Sequence, residues 1–218
     1  MKDASDAILH TEQALYLEGL EAPRDALLAR MEAYAAEHRC PISDPEVASF
    51  LAITVRASGA RRIVEVGTNI GYGAVVMARA AGARGRVLTL ELDEKLCEIA
   101  RGFAAEAGLS ERIEVRQGRA TDELARIEGP IDLAYVDCVK EEYVAYLELI
   151  VPKLSASGVI IADNVLWKGL VAKSDVPPNE AKRTEALRAF NRVLTAHPSL
   201  RGMVLPLGDG VAYAVKTT

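Results

Sequence analysis

Apolar positions fall into two regimes along the chain. In the first part they recur at helical spacing. Residues 22–38 put Leu27, Met31, Tyr34 and His38 on one side, which predicts an amphipathic helix. Residues 43–57 predict a second, with Ser43 or Asp44 as N-cap, Pro45 in the first turn and Ser58-Gly59 closing it. The pattern then changes to short apolar runs at 62–66, 86–92, 113–117, 131–137 and 158–163, each rich in β-branched residues or Leu and of buried-strand length. Helical stretches separate them: 94–107 carries Leu96, Ile99 and Phe103 on one stripe, and 140–150 carries Tyr143, Tyr146, Leu147 and Ile150. Strands alternating with helices predict a parallel sheet covered on both faces. A helix over 179–196 follows, with Leu187, Phe190 and Leu194 inward. Then 202–207 and 211–216, joined by Gly208-Asp209-Gly210, read as a β-hairpin. The expectation is an α/β fold: a Rossmann-like, doubly wound sheet of seven strands, mostly parallel, with a C-terminal antiparallel hairpin and added N-terminal helices. It would be one domain over 1–218, with 1–57 a helical cap and 58–218 the core. The segment 168–180, with Pro177-Pro178, is the one long irregular stretch, and such loops in compact domains are often functional.

Composition narrows the function classes. Half of the 218 residues are hydrophobic and 26% are charged, enough for a sizeable core and against disorder. The net charge of -5 disfavours a general nucleic-acid binder. Cys40, Cys97 and Cys138 are widely spaced, which suits neither a disulfide framework nor a zinc site and points to a reducing, cytoplasmic setting. No apolar run approaches the roughly 20 residues of a membrane span. The first 13 residues are polar and periodic, unlike a secretory signal.

In an open parallel sheet, ligands bind beyond the carboxyl ends of the strands. Those ends carry chemistry here. The first is followed by Gly67-Thr68-Asn69-Ile70-Gly71-Tyr72-Gly73, the second ends at Glu91, and the third is followed by Gly118-Arg119-Ala120. The fourth ends at Asp137 with Lys140 three residues on, and the fifth at Asp163-Asn164. Each has a plainer reading taken alone: a tight turn, a solvated strand-end charge, an Asx turn, a solvated lysine. Five such ends along one edge favour a ligand site. The glycine spacing is not the G-x-G-x-x-G of a dinucleotide site, and Glu65 two residues before Gly67 favours a cationic ligand over a pyrophosphate. Glu91 can accept both hydroxyls of a ribose. Asp137, Asp163 and Asn164 offer three hard oxygen donors, which suit Mg2+ and leave positions for a bidentate substrate. Beside a divalent cation, a partly buried Lys140 is suited to accept a proton.

The motifs E-V-G-T-N-I-G-Y (65–72), L-E-L-D (90–93), Y-V-D-C-V-K (135–140) and A-D-N-V-L-W-K-G (162–169) resemble those of the cation-dependent class I O-methyltransferases, the family of catechol and caffeoyl-CoA O-methyltransferases. The resemblance covers nearly the whole chain, and the D-x-x-K and D-N pair is specific for the cation-dependent branch. It implies S-adenosylmethionine (SAM) as cofactor together with Mg2+ or another divalent cation such as Mn2+ or Ca2+. By position, Glu65, Gly67, Thr68 and the amides near Tyr72 and Gly73 would line the methionine part of SAM. Ile42 would contact its methionine end through the backbone, Glu91 with Leu92 would hold the ribose side, and Gly118 and Ala120 would lie beside the adenine. Asp137, at the border of the cofactor pocket, would bind the cation with Asp163 and Asn164, and Lys140 would be the catalytic base. Trp167, with Lys140, Asn164 and the 168–180 loop, would face the acceptor. Two positions depart from the family pattern: Gly73 stands where many relatives have Ser, and Val139 replaces the second acid of D-A-D-K.

The leading expectation is therefore methyl transfer to a catechol-like small molecule, by a protein forming a homodimer through its N-terminal helices. The alternative is a tRNA 5-hydroxyuridine O-methyltransferase, because M-E-A-Y-A-A-E-H (31–38) and D-N-V-L-W-K-G-L-V (163–171) look much like those enzymes. Lys168, Lys173, Lys182, Arg183, Arg188 and Arg192 could then meet phosphate. A non-catalytic SAM-binding protein is disfavoured by the intact Asp137, Lys140, Asp163 and Asn164, and a nicotinamide dehydrogenase by the glycine spacing.

Overall fold

The computed structural model describes residues 11–20 and 25–217. The proposed start of the first long helix, at residue 22, lies outside them, as do residues 1–10 of the helical cap. A short helix, α1 (Thr11–Glu18), precedes α2 (Ala26–His38) and α3 (Pro45–Ser58). The Asp25 carboxylate accepts from the amides of Leu27 and Leu28 at 2.9 and 3.0 Å and starts α2. Asp44 is the N-cap residue of α3 and Pro45 its first turn, while Gly59 ends it at φ 67°.

The core alternates: β1 (Arg62–Val66), α4 (Tyr72–Ala80), β2 (Arg86–Glu91), α5 (Glu94–Glu106), β3 (Ile113–Gln117), α6 (Ala120–Arg126), β4 (Ile131–Val136), α7 (Tyr143–Ile150), β5 (Leu154–Ala162), α8 (Ala181–Ala196), β6 (Leu200–Leu205) and β7 (Val211–Lys216). The seven strands lie in the order β3-β2-β1-β4-β5-β7-β6. The first five run parallel, and β7 inserts antiparallel between β5 and β6. This is the expected doubly wound sheet with its terminal hairpin.

Two apolar layers sandwich the sheet. Ile63, Val87, Leu133, Tyr135 and Ile161 face α2 to α5, packing on Met31, Leu51, Met77 and Cys97. Val64, Val66, Leu90, Ala134 and Ile160 face α6 to α8, on Leu124, Tyr146, Leu147 and Phe190. The register aligns Glu65 with Thr89 on one side and Tyr135 on the other. Side chains alternate faces along a strand, so these three form one polar row near the C-terminal edge, on the α2–α5 face.

Some boundaries differ from the sequence expectation. The fifth strand begins at Leu154, which pairs with Ile131 before the register shifts and pairing resumes at Val159. The sixth spans 200–205 and stops before Pro206, which has no amide to donate. Lys140 begins a 3-10 turn (Lys140–Glu142) that leads into α7. The 168–180 segment is irregular apart from a 3-10 turn at Leu170–Ala172.

Candidate active site

The C-terminal edge of the sheet gathers the predicted residues. Gly67 has φ 101°, and a Cβ there would lie 2.0 Å from the Asp137 carbonyl oxygen, so only glycine lets β1 and β4 end this close. A Cβ on Gly73 would lie 2.2 Å from Glu65 Oε1, so the glycine makes room for that carboxylate. Glu65 is buried. Its Oε2 accepts from Thr89 Oγ1 at 2.5 Å, and Thr89 Oγ1 lies 2.6 Å from Thr68 Oγ1. The hydroxyl of Thr68 thus turns inward, and that of Tyr72 bonds Glu32 at 2.6 Å, which leaves their backbones for a ligand. Burial pushes the Glu65 carboxyl up to about 8; Thr89 pulls it down, and Asp137 and Glu91 add to the rise. Among the described residues no cation pairs with it.

Glu91 accepts from the amides of Asn69, Leu92 and Asp93 at 2.9, 2.8 and 3.0 Å, which fixes its carboxylate at the strand end. Leu92 beside it is 69% exposed, an apolar surface with no cover from the chain. Gly118 donates to the Glu91 carbonyl at 2.8 Å, and Ala120 opens α6 next to it. Half-buried Ile42 belongs to a segment tied down on both sides: Asn69 Nδ2 donates to the Pro41 carbonyl at 2.8 Å, and Ser43 Oγ bonds Tyr135 OH at 2.8 Å.

Beyond β4 and β5 the other group assembles. Lys140, 7% exposed, donates to Asp137 Oδ1 at 2.7 Å, Asn164 Oδ1 at 2.8 Å and Tyr143 OH at 2.7 Å. Asp163 is buried; its Oδ1 accepts from the Asn164 amide at 2.7 Å and its Oδ2 from Tyr135 OH at 3.1 Å. Burial and the nearby Asp137 charge push the Asp163 carboxyl up, against the pull of Lys140 and the Asn164 amide. Asn164 takes φ 56°, a left-handed turn that asparagine tolerates and that aims its amide back at Lys140. Among the described residues no three His, Cys, Asp or Glu side chains form a metal cluster; the third donor here is the Asn164 amide.

Trp167 stands at the entrance to the irregular loop. Its Nε1 donates to Glu180 Oε2 at 2.8 Å, and the Arg183 guanidinium lies 5.7 Å from its ring centre. The loop is held at its base, where the Lys168 amide donates to Asp209 Oδ1 at 2.6 Å, and along its first turn, where Arg188 bonds the carbonyls of Leu170, Val171 and Lys173. Arg192 pairs with Glu185, and Arg183 with Glu141 and Glu180. These three arginines bond the chain itself, which takes them from the set the tRNA reading relies on.

The structure thus brings all the predicted residues to one edge. It adds Ser43, Asn69, Thr89, Tyr135 and Tyr143, whose sequence signals pointed to a helix cap, a turn or apolar packing. Both ligand chemistries fit. A buried carboxylate without a cationic partner, Glu65, suits a sulfonium or ammonium ligand. Asp137 and Asn164 converge on Lys140 Nζ, and the Asp163 carboxyl feels the charges of Asp137 and Lys140, so three hard oxygen donors for a divalent cation stand near one another.

The sheet order, the glycine turn after β1 and the acidic end of β2 are those the resemblance to SAM-dependent methyltransferases implies. An O-methyltransferase family description matches residues 24–217, and the chain belongs to that family. It is 38% identical over 153 residues to a catechol O-methyltransferase of Mycobacterium tuberculosis, an alignment covering 69% of this chain and 67% of that protein. It is 32% identical over 202 residues to one from Niastella koreensis, covering 88% and 90%. The fold superposes on a Bacillus cereus O-methyltransferase solved in complex with SAH, with TM-score 0.83, 31% identity and 95% and 98% of the two chains covered. The protein is an enzyme, a SAM-dependent O-methyltransferase.

Proposed function

We propose that the enzyme methylates one hydroxyl of a vicinal dihydroxy aromatic small molecule, with a divalent cation held by Asp137, Asp163 and Asn164. The observation that carries this reading is the convergence of Asp137 and Asn164 on Lys140, whose Nζ lies 2.7 Å from the first and 2.8 Å from the second, with buried Asp163 adjoining Asn164. The naming of two relatives as catechol O-methyltransferases supports the acceptor class.

When bound, SAM supplies an electrophilic methyl carbon and the cation, Mg2+ by preference, lowers the pKa of an acceptor hydroxyl. Lys140, displaced from Asp137 and Asn164 by the cation and present as the free amine, would receive that proton at Nζ, with Tyr143 OH 2.7 Å away in the ligand-free enzyme. Methyl transfer to the acceptor oxygen would yield a methyl ether and S-adenosylhomocysteine, with the hydroxyl proton held on Lys140. Glu91 orients the ribose, and Glu65 draws the cationic end of the donor beneath the glycine turn. Trp167, anchored to Glu180, walls the acceptor and limits water. Holding the reacting atoms in line supplies much of the rate.

The reading also places the enzyme in the cytoplasm, in keeping with its three free cysteines. Among the described residues no helix is long and apolar enough to cross a membrane. A homodimer is part of the proposal: Leu15, Tyr16 and Leu17 of α1 are exposed, and light scattering reads the mass directly.

The test is transfer of a labelled methyl group from SAM to 3,4-dihydroxybenzoate or caffeate, with Mg2+ and then with EDTA. Transfer that EDTA stops is expected. Transfer that EDTA leaves untouched refutes the cation, and SAM binding without transfer to either catechol refutes the acceptor class.

A further inference from the structure

Two phenols reach the site from opposite faces of the sheet. Tyr143, from α7, holds Lys140. Tyr135, on β4, lies on the other face and makes no hydrogen bond to Lys140. Its hydroxyl donates to Asp163 Oδ2 at 3.1 Å and bonds Ser43 Oγ at 2.8 Å. Since the Asn164 amide holds Asp163 Oδ1 at 2.7 Å, both oxygens of that carboxylate are fixed, each with a lone pair to spare.

We propose that Tyr135 is a positioning residue that aims the Asp163 carboxylate at the cation and ties it, through Ser43, to the segment leading into α3. This rests on the cation-dependent reading above.

The physical reason lies in the choice of donor. Tyr135 is 1% exposed, and a phenylalanine would fill the same space without a buried hydroxyl to satisfy. A lysine or arginine there would neutralise Asp163 and would have to be displaced before a metal could bind. A phenol orients the carboxylate and leaves its charge available. With its hydroxyl proton given to Asp163 Oδ2, the phenol takes its own bond from Ser43. Ser43 sits in the stretch that Asn69 ties to the glycine turn through Pro41. A rigid path therefore joins the proposed cofactor side of the site to one cation ligand.

The test is a Mn2+ titration followed by electron paramagnetic resonance, without SAM or acceptor, on the wild-type enzyme, Tyr135→Phe and Ser43→Ala. Tyr135→Phe should weaken Mn2+ binding about tenfold, the scale of losses when a ligand's supporting partner is removed. Ser43→Ala, which leaves the phenol in place, should weaken it less and in the same direction. In turnover, the KM for the cation should rise more than kcat falls, and SAH affinity should hold. Unchanged Mn2+ affinity in Tyr135→Phe, beside a wild type that binds, overturns the positioning role alone. A wild type that binds no Mn2+ overturns the cation reading and this proposal with it. Should Tyr135→Phe fail to fold, Ser43→Ala decides: Mn2+ affinity equal to wild type then counts against the proposal.

Discussion

The two ends of the sheet treat carboxylates in opposite ways. At the C-terminal edge Glu65 and Asp163 are buried with few donors and near other acids, and both carboxyls are pushed up. At the other end Asp132, on β4, meets the start of β1. Partial burial raises its carboxyl, but the amides of Arg62 and Arg61 at 2.9 and 3.0 Å, the Ser155 hydroxyl at 3.1 Å and the Arg62 charge outweigh it and hold it below the usual range. Cations there are equally well supplied: Arg62 donates to the carbonyls of Glu128 and Gly129, and Arg86 and Arg112 to that of Gly85. A cleft of about 650 Å³ opens at this end, lined by those arginines and far from Lys140. Its size is a poor guide to chemistry, because its arginines already bond carbonyls and carboxylates of the chain. The lesson is that satisfied charge supports the fold, whereas charge left short of partners marks where ligands complete the structure.

The sharpest break between the ends is catalytic. Lys140→Ala should lower kcat by about 10²–10⁴-fold, the range for loss of a general base, with SAH affinity by calorimetry little changed. An unchanged kcat would remove Lys140 from the mechanism.

Next in size is the effect of Glu65 on stability. Its folded pKa, about 8, lies above the ordinary 4.5, so the unfolded chain releases its proton first as pH rises. Stability tied to the bound proton is fully present below pH 4.5, drains away above it and is gone once pH passes about 8. Melting of the ligand-free enzyme should therefore show Glu65→Gln more stable than wild type at pH 8–9 by a few degrees, converging near pH 5. Parallel melting curves across that range would show that Glu65 is not held protonated.

The smallest effect belongs to Asp132 and has the reverse sign. Its lowered pKa gives stability that is present above the ordinary value of 3.8 and lost as pH falls through the folded value. Asp132→Asn should cost at most about 1 kcal/mol in urea unfolding at pH 7, solvent screening included, less as pH falls below 3.8, and should leave kcat alone. A fall in kcat would show that the two ends are coupled.

What the sequence revealed follows from which contacts are local. The strands of 62–66 and 113–117 are apolar runs bounded by glycine or charge, and their limits matched the structure. The start of the fifth strand was hidden because Ser155-Ala156-Ser157 looks like a turn, and pairing with Ile131 is a long-range fact. α6 is only 7 residues long, too short for a periodic signal. At the site, groups standing directly at strand ends were legible, because topology alone brings them together. Their supports were not. Ser43 read as a helix cap, Tyr143 as part of an apolar stripe and Tyr135 as one more strand residue. Only the lateral alignment of Glu65 with Thr89 and Tyr135, and of Tyr135 with Ile161, reveals that row.

The anchoring of the irregular loop has an evolutionary consequence. Asp209 clamps its base at Lys168, Arg188 staples its first turn, and Glu180 closes it against Trp167, 13 residues away. Residues 174–179 hang between these posts, mostly exposed and outside both apolar layers. Such a segment is an interchangeable cassette: its length and chemistry can drift while Lys140 and the oxygens it bonds, held on other elements, stay under separate selection.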